Sequence, residues 1–215
     1  MVRIFLHVVG AVWRVIDVVV LATRPDLLRA YFALMRARFA KSPYVWPRAY
    51  RDVASVKASG QSLDELVYGE VPLFVGVLLL WLARVRSGSR VVDVGAGRGR
   101  LLLAARRLDA EATGYELVQE HVLVAARPLA QAGAKLEAQD ALQADYADID
   151  CAFVNWTGFS RSTIDRLVER FEALAPNARV VAVSHAIEHD GFDLERTLFA
   201  PFTWGPDWVR IYRRR

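Results

Sequence analysis

The chain has 215 residues, 54% of them hydrophobic, which suits one folded domain with an appendage and excludes intrinsic disorder. Its single cysteine, Cys151, excludes an intrachain disulfide and a cysteine-held metal cluster. Residues 1–51 hold nine basic and two acidic residues, whereas the remainder holds 19 basic and 22 acidic ones. A nucleic-acid-binding domain has a basic folded face, so an acidic body beneath a basic segment predicts no nucleic-acid partner.

The N-terminal segment predicts two helices. Residues 4–22 are mostly apolar and nearly long enough to span a bilayer, although His7, Arg14 and Asp17 interrupt the run. Arg14 and Asp17 stand three residues apart and could pair on a helix. After a break at 23–26, a second helix combines an apolar face with basic residues.

This arm has two interpretations. An apolar helix followed by a basic amphipathic one is typical of a segment bound to an anionic membrane surface. The alternative is a helix packed on the protein's own core. We expect residues 1–41 to bind a membrane, on its cytoplasmic and reducing side, while leaving open whether residues 4–22 span or lie on it. Two closely spaced prolines end the arm, which predicts an arm of residues 1–47 and a domain of residues 48–215.

The body alternates short β-rich runs with helical stretches, which indicates a parallel sheet with helices on both faces. The expected parallel strands are 90–94, 112–116, 135–138, 149–155 and 179–184. The expected helices are 73–84, 98–107, 119–131 and 160–174. Two final runs, 194–202 and 208–212, lack a helix between them and predict an antiparallel hairpin. The fold class is therefore α/β: a doubly wound, Rossmann-like seven-stranded sheet with an antiparallel C-terminal hairpin, preceded by an α-helical arm.

A glycine-rich turn follows the first strand, in Asp93-Val94-Gly95-Ala96-Gly97-Arg98-Gly99. Three glycines let the backbone approach a ligand, and the next helix presents free N–H groups. A dinucleotide fingerprint would put its third glycine one residue later, where Arg100 stands, so NAD is disfavoured. The carboxylate of Asp93 suits a ligand with a cationic amine better than a pyrophosphate.

Two more carboxylates follow the next two strands. Glu116 ends the second strand, where a carboxylate can accept both hydroxyls of a ribose. Asp140 follows the third strand, where it could accept an adenine amino group. Taken singly, each acid could cap a helix or lie in a solvated turn. Together, acids after three successive strands predict one nucleoside-binding pocket.

The sequence resembles class I S-adenosylmethionine-dependent methyltransferases over roughly residues 60–213. It is most similar to the seven-strand protein lysine methyltransferases, both the histone type and the membrane-associated type that modifies the ATP synthase c subunit. Besides the acidic sites, the resemblance rests on Leu66-Val67-Tyr68-Gly69-Glu70, Phe153-Val154-Asn155 and Phe202-Thr203-Trp204-Gly205.

The resemblance implies S-adenosylmethionine as the cofactor. It implies that Tyr68, Gly69 and Glu70 close over the methionine part. It further implies cofactor contacts from residues after the first three strands, namely Asp93, Gly95, Ala96, Gly97, Gly99, Glu116, Asp140 and Ala141.

The resemblance also implies that Asn155 stands at the methyl-transfer site. Amino-group methyltransferases often follow this position with two prolines and an aromatic residue, whereas this chain has Trp156-Thr157-Gly158-Phe159. We therefore take Asn155 and Trp156 as the catalytic candidates, with Trp156 and Phe159 as aromatic walls that desolvate a lysine ammonium and lower its pKa. Trp204 and Tyr212 are weaker candidates for the acceptor channel, since core packing suits both.

Three functions remain open. The leading hypothesis is methyl transfer to a protein lysine at a membrane surface. The second is a small-molecule or lipid methyltransferase with the same cofactor site, and the third is a non-catalytic membrane adaptor that kept the fold. No metal is expected, because His185 and His189 fit a solvated turn better than a ligand set.

Overall fold

A computed structural model describes residues 2–40 and 70–215, with side chains described for residues 10–36 and 70–215. The helices are α1 (Val2–Leu21), α2 (Pro25–Ala40), α3 (Leu73–Leu82), α4 (Arg100–Arg107), α5 (Gln119–Gln131) and α6 (Arg161–Arg170). The strands are β1 (Arg90–Val94), β2 (Glu111–Glu116), β3 (Ala134–Ala138), β4 (Cys151–Asn155), β5 (Arg179–Val183), β6 (Phe192–Phe202) and β7 (Gly205–Arg214). Short 3-10 turns lie at Ala141–Gln143 and Phe171–Ala173.

Within the described residues, the seven strands form one sheet in the order β3-β2-β1-β4-β5-β7-β6. The first five strands pair in parallel, and β7 runs antiparallel to both β5 and β6. This confirms the predicted α/β fold with its C-terminal hairpin. From β1 the chain continues through β2 and β3 to one edge of the sheet, and β4 then pairs with the other side of β1. In such sheets a crevice opens at the carboxyl ends of the strands where the order reverses.

Element boundaries differ slightly from those expected. Gly99 has a φ of 71°, so the backbone is left-handed there and α4 begins at Arg100 rather than at residue 98. The last turn of the helix expected over 160–174 tightens into the 3-10 turn Phe171–Ala173.

The sheet has a hydrophobic cluster on each face. One cluster joins α3, α4 and α5 to the sheet, and the other joins α6 and the turns that follow β3 and β5. Val91 and Val92 show the division, since neighbouring residues of a strand point to opposite faces and each lies in a different cluster. The parallel strands read as continuous apolar runs because both faces are covered.

The second helix of the arm packs on the body. Leu27, Tyr31 and Leu34 of α2 are buried at helical spacing, and α2 contacts α4 and α5. These side chains belong to the same cluster as the helices of the body. The alternative interpretation, packing on the protein's own core, therefore holds for the apolar face of α2. The boundary expected at residue 47 lies outside the described residues.

The first helix is tied to the body by a buried carboxylate. Asp17 is 1% exposed, and it accepts hydrogen bonds from the Tyr31 hydroxyl at 2.9 Å and from the Phe74 N–H at 2.9 Å. Burial raises the pKa of Asp17, although these donors oppose the shift. Arg14, the partner expected from spacing, is exposed. Across residues 2–40 and 70–215, no helix combines the length and apolarity needed to cross a bilayer.

Candidate active site

A cavity of about 410 Å³ opens at the carboxyl ends of β1, β2 and β4. It lies where the strand order reverses, as expected for a ligand site in this kind of sheet. Most of the described residues expected at the site line this cavity, namely Glu70, Asp93, Gly95, Ala96, Gly97, Glu116, Asp140, Ala141 and Asn155. Tyr68 and Gly69 lie outside the described residues.

The glycines of the turn after β1 have different roles. Gly95 and Gly97 line the cavity with φ angles of 73° and 55°, where a side chain would be strained. A Cβ on Gly95 would lie 3.2 Å from the Phe159 ring, so this glycine lets the ring approach the backbone. A Cβ on Gly99 would lie 2.4 Å from Leu129 Cδ1, inside the contact between α4 and α5. Gly99, expected to contact a cofactor, is instead a packing glycine.

The carboxylate of Glu116 turns into the glycine bend. Its Oε2 accepts the Gly97 N–H at 2.6 Å, and its Oε1 accepts the Val118 N–H at 2.8 Å. The side chain is nearly buried, and His121 on α5 lies 3.8 Å from Oε1. Each carboxylate oxygen can accept more than one hydrogen bond, so acceptor capacity towards the cavity remains.

Asp93 lies beneath the same bend and is also nearly buried. Loss of hydration, together with the smaller effect of the negative charge of Glu116, raises the pKa of Asp93 to about 8. A cation placed in the cavity would oppose both effects. The site is therefore electrostatically suited to a ligand with a positive group.

Asp140 begins the 3-10 turn after β3. Its Oδ1 accepts the Leu142 N–H at 2.9 Å, so it does cap a turn, the role considered for it as a single residue. It also lines the cavity, together with Ala141 and Leu142. One oxygen thus orders the turn while the residue faces the space expected to hold a base.

Glu70 meets the turn between β6 and β7. Its N–H donates to Thr203 Oγ1 at 2.9 Å, and the Thr203 hydroxyl donates back to the Glu70 carbonyl at 2.9 Å. The Glu70 carboxylate pairs with Arg100 at 3.0 Å. Arg100 in turn lies over the Tyr31 ring of α2, 5.6 Å from its centroid. One rim of the cavity is therefore formed where three parts of the molecule meet: Glu70, the turn that holds Thr203, and the N-terminal arm. Glu70 and Thr203 stand 133 residues apart in the sequence.

At the other end of the cavity, Asn155 ends β4. Its amide oxygen, expected to orient an amine, accepts the Thr157 N–H at 3.2 Å and so shapes the turn that follows. Thr157, Gly158 and Phe159 line the cavity after it.

The structure corrects the position of Trp156. Its side chain is fully buried in the core and packs against Phe159 and Phe171, with ring centroids 5.9 and 6.4 Å away. Phe159 is therefore the aromatic wall of this turn. Trp204 stacks on Phe202 at 4.6 Å, and the Tyr212 hydroxyl accepts the Ile187 N–H, so both have the packing roles preferred for them.

The polar residues of the cavity that were missed as site residues include Arg100, His121, Thr157 and Arg166. Arg100 could have been found as the first residue of the helix that follows the glycine turn. Arg166 stands one turn after Thr163 on α6, so the helix start at the Ser160 cap would have placed both on one face. The two remaining residues depend on contacts that have no local pattern.

His185 and His189 lie apart from the cavity. His189 accepts the Gly191 N–H and lies 3.3 Å from Glu172, whereas His185 is exposed in the same loop. Among the side chains described, no group of three or more metal-ligating residues comes together.

No protein-family model matches the chain. A proposed O-methyltransferase of Mycolicibacterium smegmatis is 35% identical over 89 residues, which are 40% of this chain and 42% of that protein. The chain thus matches about two fifths of the length of this curated relative.

Two solved structures extend the likeness. One is an RNA methyltransferase from Salinibacter ruber in complex with S-adenosyl-L-homocysteine, which is 23% identical with a TM-score of 0.57, covering 67% of this chain and 93% of that one. The other is a proposed methyltransferase, yhhF, from Escherichia coli, which is 25% identical with a TM-score of 0.55, covering 64% and 83%. With the strand order above, these likenesses show that the chain has the fold of the class I S-adenosylmethionine-dependent methyltransferases.

Proposed function

We propose that the chain is an S-adenosylmethionine-dependent methyltransferase. The observation that carries this proposal is the Glu116 carboxylate turned into the glycine bend, with Asp93 and Asp140 lining the same cavity. Fold alone does not establish activity, but three acids that line one cavity are a built site.

The donor's parts match groups around the cavity. Glu116 would accept the ribose hydroxyls, and Asp140, with Leu142 beside it, would face the adenine. The cationic amine of the methionine part would offset the cost of the buried charge on Asp93. S-adenosylmethionine supplies a methyl group on a positively charged sulfur, and the protein's part is to position the acceptor and exclude water.

We infer that the acceptor is a protein lysine amine. The acidic body would attract a basic partner, and Phe159 would help to desolvate the ammonium. A small-molecule hydroxyl is the second candidate, favoured by the likeness to a proposed O-methyltransferase. RNA is a third outcome to test, since an RNA methyltransferase shares the fold.

Donor binding tests the first proposal. Calorimetry with S-adenosylmethionine should show binding by the wild-type protein and a loss of about tenfold or more in Glu116→Gln, since hydrogen bonds to a charged group contribute about 1.5–3 kcal/mol. Glu111→Gln is the matched control, because Glu111 begins the same strand and is exposed. An absence of binding by the wild-type protein would overturn the proposal.

Acceptor class is tested with a labelled methyl donor and three probes: a lysine-rich histone, total cellular RNA and 3,4-dihydroxybenzoate. We expect label on lysine side chains of the histone. Label on RNA or on the catechol would replace the lysine assignment while keeping the methyltransferase. Donor binding without transfer to any probe would favour the adaptor.

We also propose that α1 holds the protein at an anionic membrane surface. Val12, Val15 and Val19 are 50%, 64% and 67% exposed and form one stripe along the helix. The basic N-terminal segment complements anionic lipid. Flotation with phosphatidylglycerol vesicles should carry the wild-type protein, and Val15→Glu with Val19→Glu should release it. Leu123→Glu, at an apolar residue of α5 that is 71% exposed, is the control and should leave the protein bound to the vesicles.

A further inference from the structure

Two hydroxyl groups connect a carboxylate on β7 to the cavity through a series of hydrogen bonds. Thr157 lines the cavity, and its Oγ1 lies 3.0 Å from Ser184 Oγ. The Ser184 hydroxyl donates to Asp207 Oδ2 at 2.6 Å. The three residues come from the turns that follow β4 and β5 and from the start of β7.

The direction of these hydrogen bonds follows from counting protons. A serine hydroxyl has one proton, and that of Ser184 goes to the carboxylate of Asp207. Thr157 must then donate to Ser184. The remaining capacity of the Thr157 oxygen is that of an acceptor, so this residue offers the cavity a place for a ligand's proton.

The Asp207 carboxylate, at the end of this series of hydrogen bonds, accepts further hydrogen bonds that fix its position. Asp207 Oδ1 accepts the Trp208 N–H at 2.7 Å, and Oδ2 also accepts from Trp204 Nε1 at 3.3 Å. Three donors therefore hold this carboxylate in place. Arg210, whose guanidinium donates to the Ser184 carbonyl, is the charged side chain seen beside this chain of bonds.

Ser184 holds an unfavourable backbone conformation. Its φ is 74°, in the left-handed region that favours glycine. Such strain at a residue other than glycine is concentrated at functional sites. The position thus keeps a hydroxyl where glycine would fit the backbone better.

We propose that Thr157, Ser184 and Asp207 form a proton relay that deprotonates the methyl acceptor, an inference that rests on the proposed methyltransferase function. The acceptor's O–H or N–H proton passes to Thr157 Oγ1, the Thr157 proton passes to Ser184, and the Ser184 proton passes to Asp207. The freed lone pair forms the bond to the methyl carbon, and the electrons of the carbon–sulfur bond stay on sulfur. Asp207 is partly exposed and returns the proton to solvent.

The relay defines the acceptor class as a nucleophile that must lose a proton at neutral pH. A lysine ammonium and a phenolic hydroxyl meet this condition. An acceptor that is already an anion would gain nothing from the relay.

The test uses Thr157→Val and Ser184→Gly, with single-turnover transfer to whichever of the three probes takes most label. At pH 7 the single-turnover rate of methyl transfer should be about 100-fold lower in each variant, which is the lower end of the range for general-base catalysis. The deficit should shrink as pH rises towards 10, because a lysine ammonium or a phenol then loses its proton to solvent without the relay. Thr157→Ser should restore the rate. A structural defect would lower the rate equally at every pH.

Two further readouts separate the explanations. Ser184→Gly should melt within a few degrees of the wild type, because relief of the backbone strain offsets the lost hydrogen bond. The donor's dissociation constant should stay within about twofold in both variants, since the relay acts on the acceptor. Thr197→Val on β6 and Asn177→Gly, at another positive-φ site, are the controls and should keep full activity.

The outcomes are distinguishable. If the wild type transfers label and the variants show no deficit, or a deficit that does not change with pH, the relay is overturned and the methyltransferase stands. If the wild type binds no donor or labels no probe, the proposed function falls and the relay falls with it.

Discussion

The two ends of the cavity are built in different ways. At the nucleoside end, the glycine bend and Glu116 come from adjacent parallel strands, and backbone N–H groups make the bonds. At the acceptor end, side chains from three separate turns meet, as in the chain from Thr157 through Ser184 to Asp207. The first end depends on how closely backbones approach, whereas the second depends on individual side-chain hydroxyls and carboxylates.

This difference predicts that adding one methyl group at the glycine-rich turn lowers the free energy of unfolding more than deleting a polar group elsewhere does. Gly99→Ala should lower the free energy of unfolding by about 3 kcal/mol, because the φ of 71° is strained for alanine and the Cβ would meet Leu129 at 2.4 Å. Chemical denaturation measures the loss. Gly88→Ala, with a φ of 80° and no atom within 4 Å of its Cβ, is the control for strain alone and should cost about 1 kcal/mol.

The next prediction separates stability from binding at the nucleoside end. Because the pKa of Asp93 is raised from its ordinary value of 3.8 to about 8, the fold favours the protonated carboxyl. The stability that this contributes is present below the ordinary pKa and is lost as pH rises from there through about 8. Asp93→Asn should therefore melt higher than the wild type at pH 9, by about 2–4 °C for each kcal/mol gained. Its donor binding should nevertheless weaken by about tenfold or more, because the cationic amine loses its partner.

Thermal melts from pH 5 to 9, with calorimetry at pH 8, check this prediction. Asp190→Asn is the control, since Asp190 is exposed in a loop. A variant that binds the donor as tightly as the wild type would remove Asp93 from the site.

Whether the arm belongs to the site is a third question. Tyr31→Phe removes the hydroxyl that donates to buried Asp17 and should cost about 1–2 kcal/mol of stability, since a buried carboxylate loses a donor. The deficit should shrink as pH falls, because protonated Asp17 no longer needs that donor. The backbone N–H groups of Phe74 and Leu73 and the charge of Arg100 also stabilise the charged form of Asp17. Phe32, 47% exposed on the same helix, provides the control Phe32→Leu. An equal cost at every pH down to the onset of acid unfolding would show that the loss is one of packing.

The sequence predicts the nucleoside end better because its signals are local. The strands, the glycine bend and the acids after β1, β2 and β3 lie in short segments whose spacing reflects the backbone geometry. Trp156 was misplaced because consecutive residues of an extended chain point to opposite sides, so it faces the core when Asn155 faces the cavity. Ser184 and Asp207 carry no local pattern, since the chain brings them together across 23 residues.

The smallest effect is expected at Thr203, whose exposed hydroxyl joins the turn between β6 and β7 to Glu70. Thr203→Val keeps the shape of the side chain but removes both hydrogen bonds to the Glu70 backbone, which together contribute about 1 kcal/mol at an exposed position. Glu70 would then hold Arg100 less firmly at the rim, so donor affinity should fall by about two- to fivefold, the equivalent of that free energy. Thr203→Ser should bind as the wild type does in the same calorimetric titration. If Thr203→Val also binds normally, the turn between β6 and β7 serves the fold of the hairpin alone, and the rim of the cavity is set by Glu70 and Arg100 without it.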